Sequence, residues 1–173
     1  MKYHAYLFVD GSASKGDDVG GWAAVAATTS ARKLLYGVDF PTTISRCELR
    51  PIVEGLRWIR YRWCKSPGCR ICVYSDSEYT VKTLSGIYPR HKNEDLWKAL
   101  DEVAAGLNIT YIWRERNSLP YMTLCDGVCG AMRRLAINHI KTVASNYLCP
   151  EDSMPQFPLP EDSNEPSEAK SPV

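Results

Sequence analysis

The hydrophobic period of this chain changes at Pro41 from two residues to about three and a half, and that change limits its folds more than any other feature. Before it, residues 3–10 alternate and then run apolar through Tyr6, Leu7, Phe8 and Val9 to Asp10-Gly11, which reads as a buried strand ending in a turn. Residues 20–29 and 32–40 read as two further strands joined by Ser30-Ala31. Three sequential strands with short links imply an antiparallel meander. After Pro41, Leu49, Ile52, Val53, Leu56, Ile59 and Trp63 share one helical face, whereas Arg50, Glu54, Arg57 and Tyr61 point elsewhere. An apolar strand at 70–75 follows, and Asp76 stands where it meets a helix over 77–84. Gly86, Pro89 and the polar run to Asn93 break the chain. A helix at about 94–105, a strand at 109–113 and a last helix from about Thr123 to Ala144 complete it. The order β-β-β-α-β-α-α-β-α predicts an α/β protein with a five-stranded mixed sheet, three strands antiparallel and then two parallel, flanked by helices.

A chain of 173 residues, 45% hydrophobic, can bury one core. No apolar run reaches the roughly 18 residues of a membrane span, and Met1-Lys2-Tyr3-His4 leads into a strand rather than a targeting segment, so a cytoplasmic protein is expected. Seven cysteines, an odd number scattered along the chain, fit reduced thiols better than a disulfide framework. The net charge of +1 conceals an asymmetry: residues 149–173 set six acids against Lys170, a net of −5, which leaves +6 on residues 1–148. The last segment also holds six of the eleven prolines and little that could anchor it. The division expected is therefore a folded domain at 1–148 and an acidic, Pro-rich disordered tail at 149–173. A basic body with an acidic tether suits a polyanionic partner, and a merely solubilising tail suits it equally.

Four carboxylates stand at element ends next to apolar segments: Asp10, Glu48, Asp76 and Asp126. Each has a local explanation. Asp10-Gly11-Ser12 can be a turn, Ser45-x-x-Glu48 and Thr123-x-x-Asp126 approximate capping boxes, and Asp76 can cap the helix that follows it. Strands one and four, both strongly apolar and therefore central, bring Asp10 and Asp76 together if they pair. Clustered carboxylates repel, and burial raises the cost of their ionisation. A divalent cation removes that penalty, and hard Mg²⁺ prefers such oxygens.

Val9-Asp10-Gly11-Ser12, Thr43-x-x-Arg46-x-Glu48-Leu49, Ser75-Asp76-Ser77-x-Tyr79 and Cys125-Asp126-Gly127 occur in this order, together with Leu96-Trp97 and Tyr111-Ile112-Trp113-Arg114-Glu115. With these motifs the chain resembles a type 1 ribonuclease H over about residues 3–145. The resemblance implies a ribonuclease H-like fold and hydrolysis of the RNA strand of an RNA/DNA hybrid to 5′-phosphate and 3′-hydroxyl ends. It further implies the use of two Mg²⁺ ions, with Mn²⁺ able to substitute, and a monomer is expected. Asp10 would bridge the ions, Asp126 would complete the site of the ion that activates water, and Glu48 and Asp76 would hold the other. Glu48 would also sense a ribose 2′-hydroxyl. Gly11, Ser12, Thr43, Ser45, Glu78 and Asn117 are the implied substrate contacts, Thr43 matching a threonine that holds a DNA phosphate.

The departures are specific. Ile44 and Ser45 replace two asparagines, and Glu78 replaces a glutamine, which changes donors and acceptors near the substrate. Only Gly86 to Asn93 fills the space where many relatives carry a basic helical protrusion, so the chain resembles the handleless members. Arg114-Glu115-Arg116-Asn117 resembles the Arg-Glu-x-Asn loop of another branch, but nine residues, Ser118 to Asp126, lead on to the acid. Pro51 suggests a helix that begins after Glu48 or kinks there. A non-catalytic hybrid- or RNA-binding module and a proofreading-type exonuclease are the competing functions. Cys64, Cys69 and Cys72 lack a fourth ligand at zinc-site spacing. The tryptophans among Arg57, Arg60, Arg62 and Lys65 read as core residues, with the cations left open between solvent and nucleic acid.

Overall fold

In a computed structural model, residues 3–16, 18–138 and 147–148 are described. Three antiparallel strands come first: β1 (Ala5–Ala13), β2 (Gly20–Ala27) and β3 (Arg32–Asp39). Then follow α1 (Ile44–Arg62), β4 (Arg70–Ser75), α2 (Glu78–Leu84), α3 (Glu94–Ala104), β5 (Asn108–Trp113) and α4 (Pro120–Asn138). The predicted order holds. β4 pairs parallel to β1 and β5 parallel to β4, which gives the expected mixed sheet, β5-β4-β1-β2-β3. A two-residue strand, β6 (Tyr147–Leu148), adds to the β3 edge, a sixth strand that the sequence pattern does not announce. The part of the expected last helix beyond Asn138, and the expected tail at 149–173, lie outside the described residues.

β1 is buried on both faces because its side chains alternate between two cores. Leu7 and Val9 join Leu49, Ile52, Val53, Leu56 and Ile59 of α1, with Leu96, Trp97 and Leu100 of α3 packed beside them. Tyr6 and Phe8 join Tyr121, Met122, Cys125 and Cys129 of α4 on the other side. The small residues of β2 let both helices approach: a Cβ on Gly21 would stand 2.1 Å from the Cys129 carbonyl oxygen in α4. Each large side chain buried this way contributes about 1.5–3 kcal/mol relative to exposure. No helix among the described residues is long and apolar enough to cross a membrane.

Several local expectations change. β1 does not end in a turn at Asp10 but continues to Ala13, because β2 pairs with it as far as Ala13↔Gly20. α1 begins at Ile44, with Thr43 as its N-cap and the Thr43 side chain accepting from the Arg46 N–H. Ser45 is therefore inside the helix and no capping box forms with Glu48, while Pro51 is carried in the helix interior rather than starting it. Proline has no N–H to offer the carbonyl four residues earlier, that of Cys47. Asp126 lies seven residues into α4 because that helix starts at Pro120, and Ser77, not Asp76, caps α2.

Cys47, Cys72, Cys125 and Cys129 are free and buried, but Cys64 and Cys69 form a disulfide across the turn between α1 and β4, which corrects the expectation of reduced thiols there. Cys64 belongs to the α1 core and Cys72 to the α4 core, so Cys72 does not converge with the bonded pair. At the same end of α1, Trp58 and Trp63 pack edge-on against each other beside the core. Arg57 pairs with Glu54, and Arg60 donates to the carbonyls of Val103 and Ala105 at the C-terminal end of α3, so these two cations serve the fold.

Candidate functional site

Parallel pairing sets the level of the first two acids. Phe8 is opposite Tyr74, and the same register carried two residues further brings Asp10 level with Asp76. β4 ends at Ser75, whereas β1 continues along β2, so the sheet opens a notch beside Asp10. Glu48 enters from α1, which lies close to β1 at Gly11: a Cβ there would stand 2.4 Å from the carbonyl carbon and oxygen of Cys47. Only glycine lets the helix backbone come so near. Asp126 enters from α4, anchored by the preceding Cys125, whose thiol donates to the Phe8 carbonyl.

Asp10, Glu48 and Asp76 each offer an oxygen within 4.8 Å of the other two. Asp10 is 3% and Glu48 9% exposed. Burial, and next the charge of Asp76, push the Asp10 carboxyl from 3.8 up to about 7, although it accepts the Gly11 N–H at 2.7 Å. Burial, then Asp10 and Asp76, raise Glu48 well above its ordinary range. Desolvation and like-charge repulsion act together here, and both favour the neutral acids.

Arg116 provides the positive charge. Its Nε donates to Asp76 Oδ2 at 2.8 Å, while Nη2 lies 4.0 Å from Asp10 Oδ1 and Nη1 3.8 Å from Asp126 Oδ1. Asp126 thus shares the guanidinium with Asp10 and Asp76 but stands outside the close trio. Glu48 Oε2 is buried without a hydrogen-bond partner. A convergent, all-carboxylate donor set with one unpartnered buried oxygen suits a hard divalent cation such as Mg²⁺ or Mn²⁺.

A groove of about 610 Å³ runs from Glu48 and Asp76 past Lys15, Thr43, Ile44, Ser45 and Tyr79. Thr43 and Ser45, two of the substrate contacts that the resemblance implies, line it. Gly11 and Ser12 lie in β1, and Gly11 shapes the site through backbone contact with α1. Glu78 turns along its own helix to Lys82, at 2.8 Å. Asn117 holds a left-handed turn (φ 59°) in the loop before α4. Arg116 is the residue that sequence reasoning passed over, since it occupies the variable position of Arg-Glu-x-Asn. Its signal was a cation within the loop that leads on to Asp126. The segment from Ser85 to Asn93 contains no helix, and its Arg90 is held by Asp101 at 2.7 Å and lies over the Trp97 ring.

The sequence profile of the ribonuclease H family matches residues 2–115. Ribonuclease H of Cupriavidus metallidurans is 35% identical over 128 residues, covering 66% of this chain and 84% of that protein. Among solved structures, the N-terminal RNase H domain of a Mycobacterium tuberculosis protein superposes with a TM-score of 0.64 at 20% identity, covering 79% of this chain and 97% of the other. LC11-RNase H1, solved in complex with an RNA/DNA hybrid, superposes with a TM-score of 0.60 at 17% identity, covering 77% and 99%. The profile match ends before Arg116 and Asp126, the two residues that complete the charge arrangement.

Proposed function

The chain belongs to the ribonuclease H family, and we propose that it is a metal-dependent endonuclease that hydrolyses the RNA strand of RNA/DNA hybrids through two divalent ions. The observation that carries this reading is the buried trio Asp10, Glu48 and Asp76, with Glu48 Oε2 unpartnered and facing like charges. Asp10, Glu48 and Asp76, joined by Asp126, would hold Mg²⁺, or Mn²⁺ in its place. Bound there, the metal would supply a Lewis acid that activates water and neutralises the leaving 3′ oxygen. Asp10, whose carboxylate interacts with those of Glu48, Asp76 and Asp126, would be the ligand common to both ions.

The remaining residues bind and orient the substrate. Thr43 and Ser45 present hydroxyls at the groove wall, while Lys15 brings a cation to it. Hydroxyls and ammonium groups of this kind hold phosphates and so register the duplex without reading its sequence. Tyr79, half exposed in the same groove, offers a ring against a sugar or base. Ile44, 53% exposed where an amide would offer both donors and acceptors, gives shape but no hydrogen bond. Gly11, Ser12, Glu78 and Asn117 complete the proposed substrate contacts, Glu78 with its charge partly balanced by Lys82. The short connection before α3 leaves few phosphate contacts outside this groove.

The test is a labelled RNA/DNA hybrid incubated with Mg²⁺, with duplex RNA, duplex DNA and single strands as controls. Internal cuts in the RNA strand of the hybrid, lost in Asp10→Asn and Asp76→Asn, support the proposal. Hybrid binding without cleavage supports the non-catalytic module instead, and stepwise loss from a 3′ end supports an exonuclease.

A further inference from the structure

The three nitrogens of the Arg116 guanidinium address three different carboxylates, those of Asp76, Asp10 and Asp126. An arginine that merely closed a surface ion pair would face one. Arg116 also lines the substrate groove, and its side chain is 57% exposed on the loop between β5 and α4. It can therefore be reached from the groove by an anion outside the pocket. It does not reach Glu48, whose Oε2 has no partner, so the deepest carboxylate is left to another cation.

We propose that Arg116 is a built-in counter-cation of the acidic pocket, which competes with divalent metal for Asp10, Asp76 and Asp126 and yields to it when a nucleic-acid phosphate draws the guanidinium outward. The inference rests on the proposed metal site. A guanidinium and a divalent ion cannot hold the same carboxylate oxygens, because they repel each other and each needs those lone pairs. A phosphodiester offers the guanidinium the same planar pair of acceptors as a carboxylate. Exchange of one acid partner for the other costs Arg116 little and leaves the pocket's negative charge to the metal. Metal binding and nucleic-acid binding are thereby coupled, and the coupling is reciprocal. The chain would hold metal weakly when free and firmly when on substrate.

The experiment is a Mn²⁺ titration of the full chain, with free ion followed by electron paramagnetic resonance. It compares the unaltered protein with Arg116→Gln and Arg116→Lys, each with and without a cleavage-resistant 2′-O-methyl-RNA/DNA hybrid. Without hybrid, Arg116→Gln is expected to bind Mn²⁺ about tenfold more tightly than the unaltered chain, with Arg116→Lys between them. Hybrid should then tighten Mn²⁺ binding about tenfold in the unaltered chain and scarcely at all in Arg116→Gln. Equal or weaker Mn²⁺ binding by Arg116→Gln, in a chain whose binding is lost on Asp10→Asn, overturns the role of Arg116 and leaves the metal site standing. Absence of Mn²⁺ binding from every chain, with hybrid and without, overturns both. Circular dichroism establishes that each variant is folded, and Arg116→Met, which also removes the charge, carries the same comparison if Arg116→Gln does not fold.

Discussion

Replacing Asp10 with asparagine should make the metal-free protein more stable. In the unfolded chain an aspartate ionises near pH 3.9, but in the folded chain burial and the neighbouring Asp76 hold the Asp10 carboxyl at about 7. Between those values the folded state keeps a proton that the unfolded state has released. The stability contributed by this group is therefore fully present below about pH 4, declines as pH rises, and is gone above about pH 7. At about 1.36 kcal/mol per pH unit, the interval from 3.8 to about 7 costs the folded state about 4 kcal/mol. Asparagine has nearly the same shape, carries no charge, and keeps an oxygen for the Gly11 N–H that Asp10 accepts at 2.7 Å. Thermal unfolding in chelator at pH 8 should thus give Asp10→Asn a higher Tm, by about 8–16 °C if each kcal/mol moves the midpoint about 2–4 °C. The difference should shrink to about 1–2 kcal/mol at pH 5, where most of the penalty has been removed by protonation. Addition of Mg²⁺ should reverse the order at pH 8. A variant less stable than the unaltered chain in chelator at pH 8, or a difference independent of pH, refutes the claim that burial and like charge strain this pocket.

Gly11→Ala should separate the acids, since its Cβ would meet the Cys47 carbonyl and the Glu48 nitrogen at 2.4 and 2.7 Å, all backbone atoms. The expected results are a loss of about 1–3 kcal/mol in urea unfolding and a larger proportional loss of hybrid cleavage. Leu56→Ala removes a side chain with no exposure from the α1 core and should cost about 2–5 kcal/mol by the same assay, with cleavage retained in the fraction that remains folded. Arg46→Ala breaks a paired contact with Asp95 at 2.7 and 2.8 Å, but Asp95 is largely exposed, so the loss in urea unfolding should stay below about 1 kcal/mol. Hybrid affinity measured against salt should fall with a shallow slope, because Arg90 is committed to Asp101 and Trp97; a slope that flattens on Arg90→Ala would show that Arg90 contacts phosphate after all.

Hydrophobic periodicity is local, and wherever the local pattern was strong the structure followed it. The alternating run around Leu7 and Val9 became a central strand, and the face formed by Leu49, Ile52, Val53, Leu56 and Ile59 became the buried side of α1. Element ends were less readable. Ser45-x-x-Glu48 looked like a cap, yet Thr43 caps α1 and Glu48 is free to turn into the pocket. Asp10 looked like a turn residue because Asp-Gly favours turns, but pairing with β2 keeps β1 extended past it. The Cys64–Cys69 bond depends on where the turn after α1 brings two side chains, which spacing alone does not state.

By itself the sequence determined the order of the elements, the apolar faces, and the presence of four carboxylates beside them, because these follow from the identity and spacing of neighbouring residues. Tertiary structure alone decided that the β1–β4 register sets Asp10 level with Asp76, that Gly11 admits α1 closely enough for Glu48 to join them, and that the loop before α4 folds Arg116 back over three acids. Those are distances between segments far apart in the chain. They are set by strand pairing and helix packing against a shared core, and the raised pKa values of Asp10 and Glu48 come into being only when that packing excludes water from the pocket.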